Sequence, residues 1–163
     1  MAVTWDHAPN RECLVAAGVL LGIGLGGFFD GIVLHQILQW HHLVSTPTPT
    51  DTLENLQHNT FWDGVFHAAT WIVTVVGVFV LMAANGARTQ ARGGRTLVGA
   101  MLAGWGSFNV VEGLVDHHIL GLHHVRPGPD EFLYDLGFLG WGLAMLVIGV
   151  LLVRRRYRRS WGS

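Results

Sequence analysis

Apolar residues fall into four long runs, approximately Leu14–Trp40, Phe61–Ala84, Thr96–Leu120 and Phe132–Val153, separated by polar connections. Each run reaches the roughly 20 residues that a helix needs to cross about 30 Å of hydrocarbon. The pattern predicts an all-α protein, a bundle of four transmembrane helices. The first and third runs are longer than crossing requires, and their polar residues gather at one end. Gly18, Gly22 and Gly26 recur at i, i+4 and i+8, and Gly99, Ala103 and Ser107 repeat that spacing. Such small-residue stripes let helix backbones approach closely. In the first connection, Thr46-Pro47-Thr48-Pro49-Thr50-Asp51 reads as extended. Asp51 or Thr52 is suited to cap a short helix carrying Leu53, Leu56 and Gln57. A plain connector is expected there, with a lid over an outer site as the alternative.

Composition supports one membrane domain over residues 1–163. Half of the 163 residues are hydrophobic and 13% are charged, about half the charge of a typical soluble domain, and the mean hydropathy is +0.39. The formal net charge of -1 excludes a nucleic-acid binder held by bulk charge. Cys13 is the sole cysteine, which excludes an internal disulfide and a cysteine-ligated cluster. Arginines set the expected orientation. Arg88, Arg92 and Arg95 lie in the second connection, and the tail from 154 to 163 carries Arg154, Arg155, Arg156, Arg158 and Arg159. The first and third connections hold only Arg126, beside Asp51, Glu54, Asp130 and Glu131. The positive-inside rule then puts both termini and the middle connection in the cytoplasm of a bacterial inner membrane, with the acidic loops outside. Trp40, Trp62 and Tyr134 suit an outer aromatic belt, and Trp5, Tyr157 and Trp161 an inner one. Asp6 and Glu12 make the N-terminus unlike a signal peptide, so the first run is expected to be a retained span.

The chain also repeats itself. Phe28–Leu43 reads FFDGIVLHQILQWHHL, and Val110–Val125 reads VVEGLVDHHILGLHHV. Without a gap, Asp30 meets Glu112, His35 meets His117, and His41-His42 meets His123-His124. A weaker echo pairs Asp63 with Asp135 and Phe66 with Phe138, while His67 meets Leu139. The repeats, about 14–84 and 96–153, predict two tandem helical hairpins. Each holds an even number of spans, so the two should be related by a pseudo-two-fold along the membrane normal. Equivalent residues then share a depth.

That depth is chemically informative. At 1.5 Å per residue, Asp30 lies roughly 24 Å beyond Leu14, in the outer leaflet, with Glu112, Asp63, Asp135 and His67 at similar levels. Intramembrane charge costs roughly 2.5–3.5 kcal/mol per residue and needs a compensating partner; a cation is the simplest. Asp63 and His67, at i and i+4, are spaced to chelate one ion. Asn109, Glu112 and Asp116 share one face of an ideal helix. His35 and His42 are roughly 10 Å apart on an unbroken helix, so sharing an ion requires the helix to bend or end near Gln39. In the third run, Gly121 is a natural terminus. The expected ligands are Asp30, His35, His41, His42, Asp63, His67, Glu112, Asp116, His117, His118, His123, His124 and Asp135. Imidazole and carboxylate without thiolate suit Cu(II), Fe or Zn(II). The ligands exceed what one ion needs, so a dinuclear or trinuclear centre is expected, with unused groups supporting the ligands.

The segments DGIVLHQILQWHH, FWDGVFH and NVVEGLVDHHILGLHH resemble domain of unknown function 2243. That family resemblance implies a four-span bacterial membrane protein over nearly the whole chain and carries no ligand list. Function is therefore read from the residues. The favoured expectation is a metal-dependent oxidoreductase in which Glu112 or Asp116 moves protons. The alternatives are metal transport, storage or delivery to another membrane complex, and a haem protein ligated by His35 and His117. A redox or metal-delivery partner is implied in either metal case.

Overall fold

The computed structural model describes residues 11–84 and 91–154. Arg88, the tail arginines Arg155, Arg156, Arg158 and Arg159, and the inner-belt aromatics Trp5, Tyr157 and Trp161 lie outside the described residues, as does the side chain of Arg92. Four helices form, and there is no strand among the described residues. Helix α1 spans Arg11–Phe29 and runs directly into a π-helical segment, π1, over Asp30–Ile37. Helix α2 spans Leu53–Ala84. Helix α3 spans Ala91–Glu112 and continues into π2, Gly113–Ile119. Helix α4 spans Glu131–Arg154. All four are long and apolar enough to cross a membrane.

Thr52 resolves the capping question. Its hydroxyl accepts from the Asn55 backbone N–H at 3.2 Å, and its carbonyl accepts from Leu56 N at 2.9 Å. The expected short helix is the start of α2, so the second span begins earlier than its apolar run.

Close packing of α1 on α3 forms the centre, with α2 against the free side of α1 and α4 against the free side of α3. Among the described residues α2 and α4 make no close backbone approach to each other. Glycine explains the central seam. A Cβ on Gly22 would fall on the carbonyl oxygen of Met101, and one on Gly104 would fall on that of Val19. The two positions are equivalent in the repeat, so each central helix presents its notch to the other. Gly99, by contrast, faces Gly149 and Leu152 of α4; its stripe serves the flank instead of the centre. The outward faces of α2 and α4 expose Trp71, Ile72, Phe79, Leu143 and Ile148, as lipid contact requires.

The switch to π winding at the outer ends of α1 and α3 is the feature an ideal-helix reading misses. In an α-helix, residue i+5 points about 140° away from residue i. With i→i+5 bonding, residue i+5 instead comes round over residue i, a rare geometry often found at functional sites. Asp30 and His35 are five apart, and so are Glu112 and His117; π winding brings each acid beside its histidine. Both segments end alike. Leu38 N donates to Val33 O at 2.8 Å and Trp40 N to Leu34 O at 3.0 Å. Leu120 N donates to Val115 O at 2.7 Å and Leu122 N to Asp116 O at 2.8 Å. Between them, Gln39 and Gly121 take positive φ values of 50° and 58°. This is a glycine-type helix stop made one residue wider by the π winding. The chain turns sharply there, and His41-His42 and His123-His124 fold back over the helix ends.

Candidate metal centre

Each half builds the same constellation. His35 Nε2 lies 3.1 Å from Asp30 Oδ2, and His117 Nε2 lies 3.0 Å from Glu112 Oε1. His35 Nδ1 lies 3.0 Å from Asp63 Oδ1, and His117 Nδ1 lies 3.2 Å from Asp135 Oδ1. The second oxygens of these outer acids meet His42 Nδ1 and His124 Nδ1, both at 2.6 Å. Leu43 N and Val125 N donate to the first oxygens, each at 2.9 Å. Asp63 and Asp135 therefore have both carboxylate oxygens occupied by groups of their own half. Their aligned hydrogen bonds go to His42, His124 and the backbone, while Nδ1 of His35 and of His117 lies close but off the hydrogen-bond line; a carboxylate this near a ligand imidazole restricts its orientation.

His41 and His123 join the halves. His41 Nδ1 lies 2.8 Å from Val125 O, and His123 Nδ1 lies 3.0 Å from Leu43 O. A carbonyl only accepts, so Nδ1 carries the proton in each ring, and in the neutral form Nε2 presents its lone pair inward. Those nitrogens face the acids: His123 Nε2 is 2.9 Å from Glu112 Oε1, and His41 Nε2 is 3.7 Å from Asp30 Oδ1. The two rings stack with centroids 4.4 Å apart.

Burial makes this arrangement costly without a partner. His35 and His41 are buried together with Asp30, and Glu112 with His117 and His123. Among the buried atoms without an aligned hydrogen bond are Asp30 Oδ1, Glu112 Oε2, His41 Nε2 and His35 Nε2. His35 thus approaches Asp30 closely but off the line a hydrogen bond needs. Acceptor atoms left over in this way cost about 1–3 kcal/mol each, and a cation offsets them all at once. Spacing fits as well. Metal–ligand bonds of roughly 2.0–2.2 Å place neighbouring ligand atoms about 3–3.5 Å apart, and the contacts His35–Asp30, His117–Glu112, His123–Glu112 and His41–Asp30 measure 3.1, 3.0, 2.9 and 3.7 Å. Candidate ligand atoms of His35, His41 and His123 lie within 4.8 Å of one another, as do those of Glu112, His117 and His123. The two triads share His123.

His123 and His41 differ electrostatically. Burial disfavours the charged form of His123, but its hydrogen bond to Glu112 and that carboxylate's charge outweigh burial and raise its pKa. For His41 burial prevails over the longer contact to Asp30, and the pKa is lowered.

Several expected ligands take other places. His67 packs its ring against Gly31, while Asp63 turns to His35, His42 and Leu43, so the i, i+4 pair does not converge. The two residues do share a face of α2, but the partners of Asp63 arrive from π1 and the following loop. His118 is exposed, and its Nδ1 lies 2.8 Å from Gly113 O; π winding turns it away from the cluster. Asp116 is half-buried on π2, at the position of Leu34 in the other half. Sequence reading missed the backbone carbonyls of Leu43 and Val125, which fix the His41 and His123 tautomers and which no side-chain pattern announces.

A half-open cavity of about 910 Å³ lies over the cluster, between the first connection and the loop before α4. Its walls include His35, His41, His42 and His124, with Gln36 and Thr60. The connection is tied down across the halves by Thr46 N, which donates to Leu122 O at 2.9 Å. Asn59, within α2, donates to Thr48 O at 2.7 Å. The segment is therefore a fixed roof as well as a connector.

Residues 17–156 match a family model described as predicted membrane protein (DUF2243). The chain belongs to this family. The match covers both hairpins and every residue of the cluster. No curated protein and no solved structure matches the chain.

Proposed function

We propose that this membrane protein is a metalloprotein holding two transition-metal ions in adjoining positions near the outer membrane face, and that it works as an oxidoreductase. The observation that carries the reading is the convergence of buried polar atoms without an aligned hydrogen bond, from Asp30, His35, His41 and Glu112, in one cluster with His117 and His123. Asp30, His35 and His41 would hold one ion and Glu112, His117 and His123 the other, with Asp63 and Asp135 orienting His35 and His117. His42 and His124 fall outside both triads, as wall groups of the cavity. An imidazole–carboxylate set suits Cu(II), Fe or Zn(II), and a bound ion would supply Lewis-acid or one-electron chemistry. Asp116, half-buried beside the second triad, is the acid placed to take or give a proton. Topology with both termini cytoplasmic is part of the same reading and rests on the arginine distribution.

A carrier or storage role is the second reading, favoured by the partly exposed rings of His42 and His124, at 15% and 28%, in the cavity wall. A route through the membrane has less support, because Leu14–Gly27 and Val73–Ala84 contain no charged side chain. Haem ligation by His35 and His117 does not suit the packing. Ring centroids are 4.6 Å apart for His35–His41 and 4.8 Å for His117–His123, so the space between the axial candidates is filled by imidazole.

Elemental analysis of the detergent-purified protein tests the proposal. Two transition-metal ions per chain are expected, with none retained when His35 and His117 are both alanine. A wild-type protein without tightly bound metal would reject it. Metal that exchanges at micromolar affinity and shows no redox response would favour the carrier.

A further inference from the structure

The two halves match in their backbone contacts but not in what lies over them: the cavity is lined by His35 and His41 of the first half and by none of the inner three of the second. Resting on the two-ion reading above, we infer that the positions have different tasks. The position of Asp30, His35 and His41 binds a small exogenous Lewis base, of the size of water, azide or dioxygen, while that of Glu112, His117 and His123 is closed to it.

Three observations carry this. The first is the cavity. Its wall includes His35 and His41, ligand candidates of the first half, whereas the second half contributes His124, Pro127 and Glu131 and none of its inner three. The cavity therefore lies over the first position, whose His35 and His41 are still covered, at 0% and 2% exposure, so an entering molecule has to displace side chains to reach it. The second is how tightly each acid is engaged. Glu112 Oε1 contacts both His117 Nε2 and His123 Nε2, at 3.0 and 2.9 Å. Asp30 is one methylene shorter; it reaches His35 at 3.1 Å, off line, and His41 only at 3.7 Å. Consequently His35 Nε2, His41 Nε2 and Asp30 Oδ1 all remain without an aligned partner. The first position is the less saturated one. The third is the exchange of Leu34 for Asp116 between equivalent places, which puts an extra carboxylate beside the second position.

The class of ligand follows from the walls. Gln36, Ser45, Thr46 and Thr60 set amide and hydroxyl groups among Trp40, Pro49, Leu56 and Pro127, a mixed lining that suits a small molecule of the size of water or azide.

Cobalt(II)-loaded protein titrated with azide tests the division, read by visible absorption and by cobalt content. Wild type should hold two cobalt ions per chain and show one saturable azide transition. His41→Ala and Asp30→Asn should retain about one ion and lose the azide response. Glu112→Gln should also retain about one ion yet keep the response. Thr60→Trp, which narrows the cavity without touching a ligand, should hold two ions and bind azide at least tenfold more weakly; it remains informative if the ligand variants fail to fold. An azide response that survives in His41→Ala and vanishes in Glu112→Gln would overturn the assignment, as would two equal azide transitions in wild type. Wild type that binds no cobalt would remove the two-ion reading itself. Two bound ions with no azide response would remove only the division of tasks.

Discussion

His41 and His123 lie face to face, 5° from parallel, and the Nδ1 of each is held by the backbone of the other half's loop, at Val125 O and Leu43 O. Each loop therefore sets the tautomer of the other's histidine, and neither half can form its inner face alone. His123 lies within reach of both groups of ligand atoms, but with Nδ1 bonded to Leu43 O its one Nε2 lone pair serves a single ion, beside Glu112 and His117. His123→Ala and His41→Ala are each expected to lose one ion and keep the other. Metal per chain, measured after equilibration with a competing chelator, checks this; loss of both ions in either variant would contradict the separate positions.

Asp63 and Asp135 touch imidazoles and backbone N–H groups and belong to neither triad. Removing their charge leaves the ligand count intact but weakens the orientation of His35 and His117. Groups in this relationship to a metal commonly change affinity 10- to 100-fold. Asp63→Asn and Asp135→Asn should each weaken metal binding by roughly that factor, with full stoichiometry restored at saturating metal. Permanent loss of one ion at saturation would make these acids ligands instead.

Much of the fold was legible because lipid imposes strong constraints. Four apolar runs and a gapless repeat were enough to expect paired hairpins with Asp30, Glu112 and the histidines at one level. The local winding was not legible. Periodicity at 100° per residue assumes an α-helix, and within π1 and π2 that assumption hid the Asp30–His35 and Glu112–His117 pairings. The role of Asp63 was likewise hidden, since its partners His42 and Leu43 reach it only after the positive-φ stop at Gln39. Sequence singled out the residues with ligand chemistry, and backbone geometry decides which of them meet.

The central seam gives a prediction independent of metal. A methyl group at Gly22 or Gly104 meets backbone, which cannot swing aside. Gly22→Ala and Gly104→Ala should each destabilise the protein by about 1–3 kcal/mol, the usual range for overpacking. Gly140 and Gly64 face open space, and alanine there should be neutral or stabilising by up to about 1 kcal/mol. Thermal unfolding of the four variants in one detergent makes the comparison.

Orientation is testable because Cys13 is the sole cysteine. In a Cys13→Ser background, Thr50→Cys in the exposed first connection should react with a membrane-impermeant maleimide added to intact cells. Arg95→Cys, beside the second connection, should react only after the membrane is opened. The reverse pattern would invert the topology and place the cavity in the cytoplasm.

The helix stops at Gln39 and Gly121 offer a direct exchange. Both residues hold positive φ, a conformation costing an L-residue with a side chain roughly 1–2 kcal/mol. Glycine occupies the second stop, whereas the first half places glutamine there, in the cavity wall. Gln39→Gly should therefore stabilise the fold by about 1 kcal/mol, and Gly121→Gln should destabilise it by a similar amount. If Gln39 is retained for what enters the cavity, Gln39→Gly will also alter azide binding to the metal-loaded protein while leaving metal content unchanged. A change in metal content would instead mean that the stop itself positions His41.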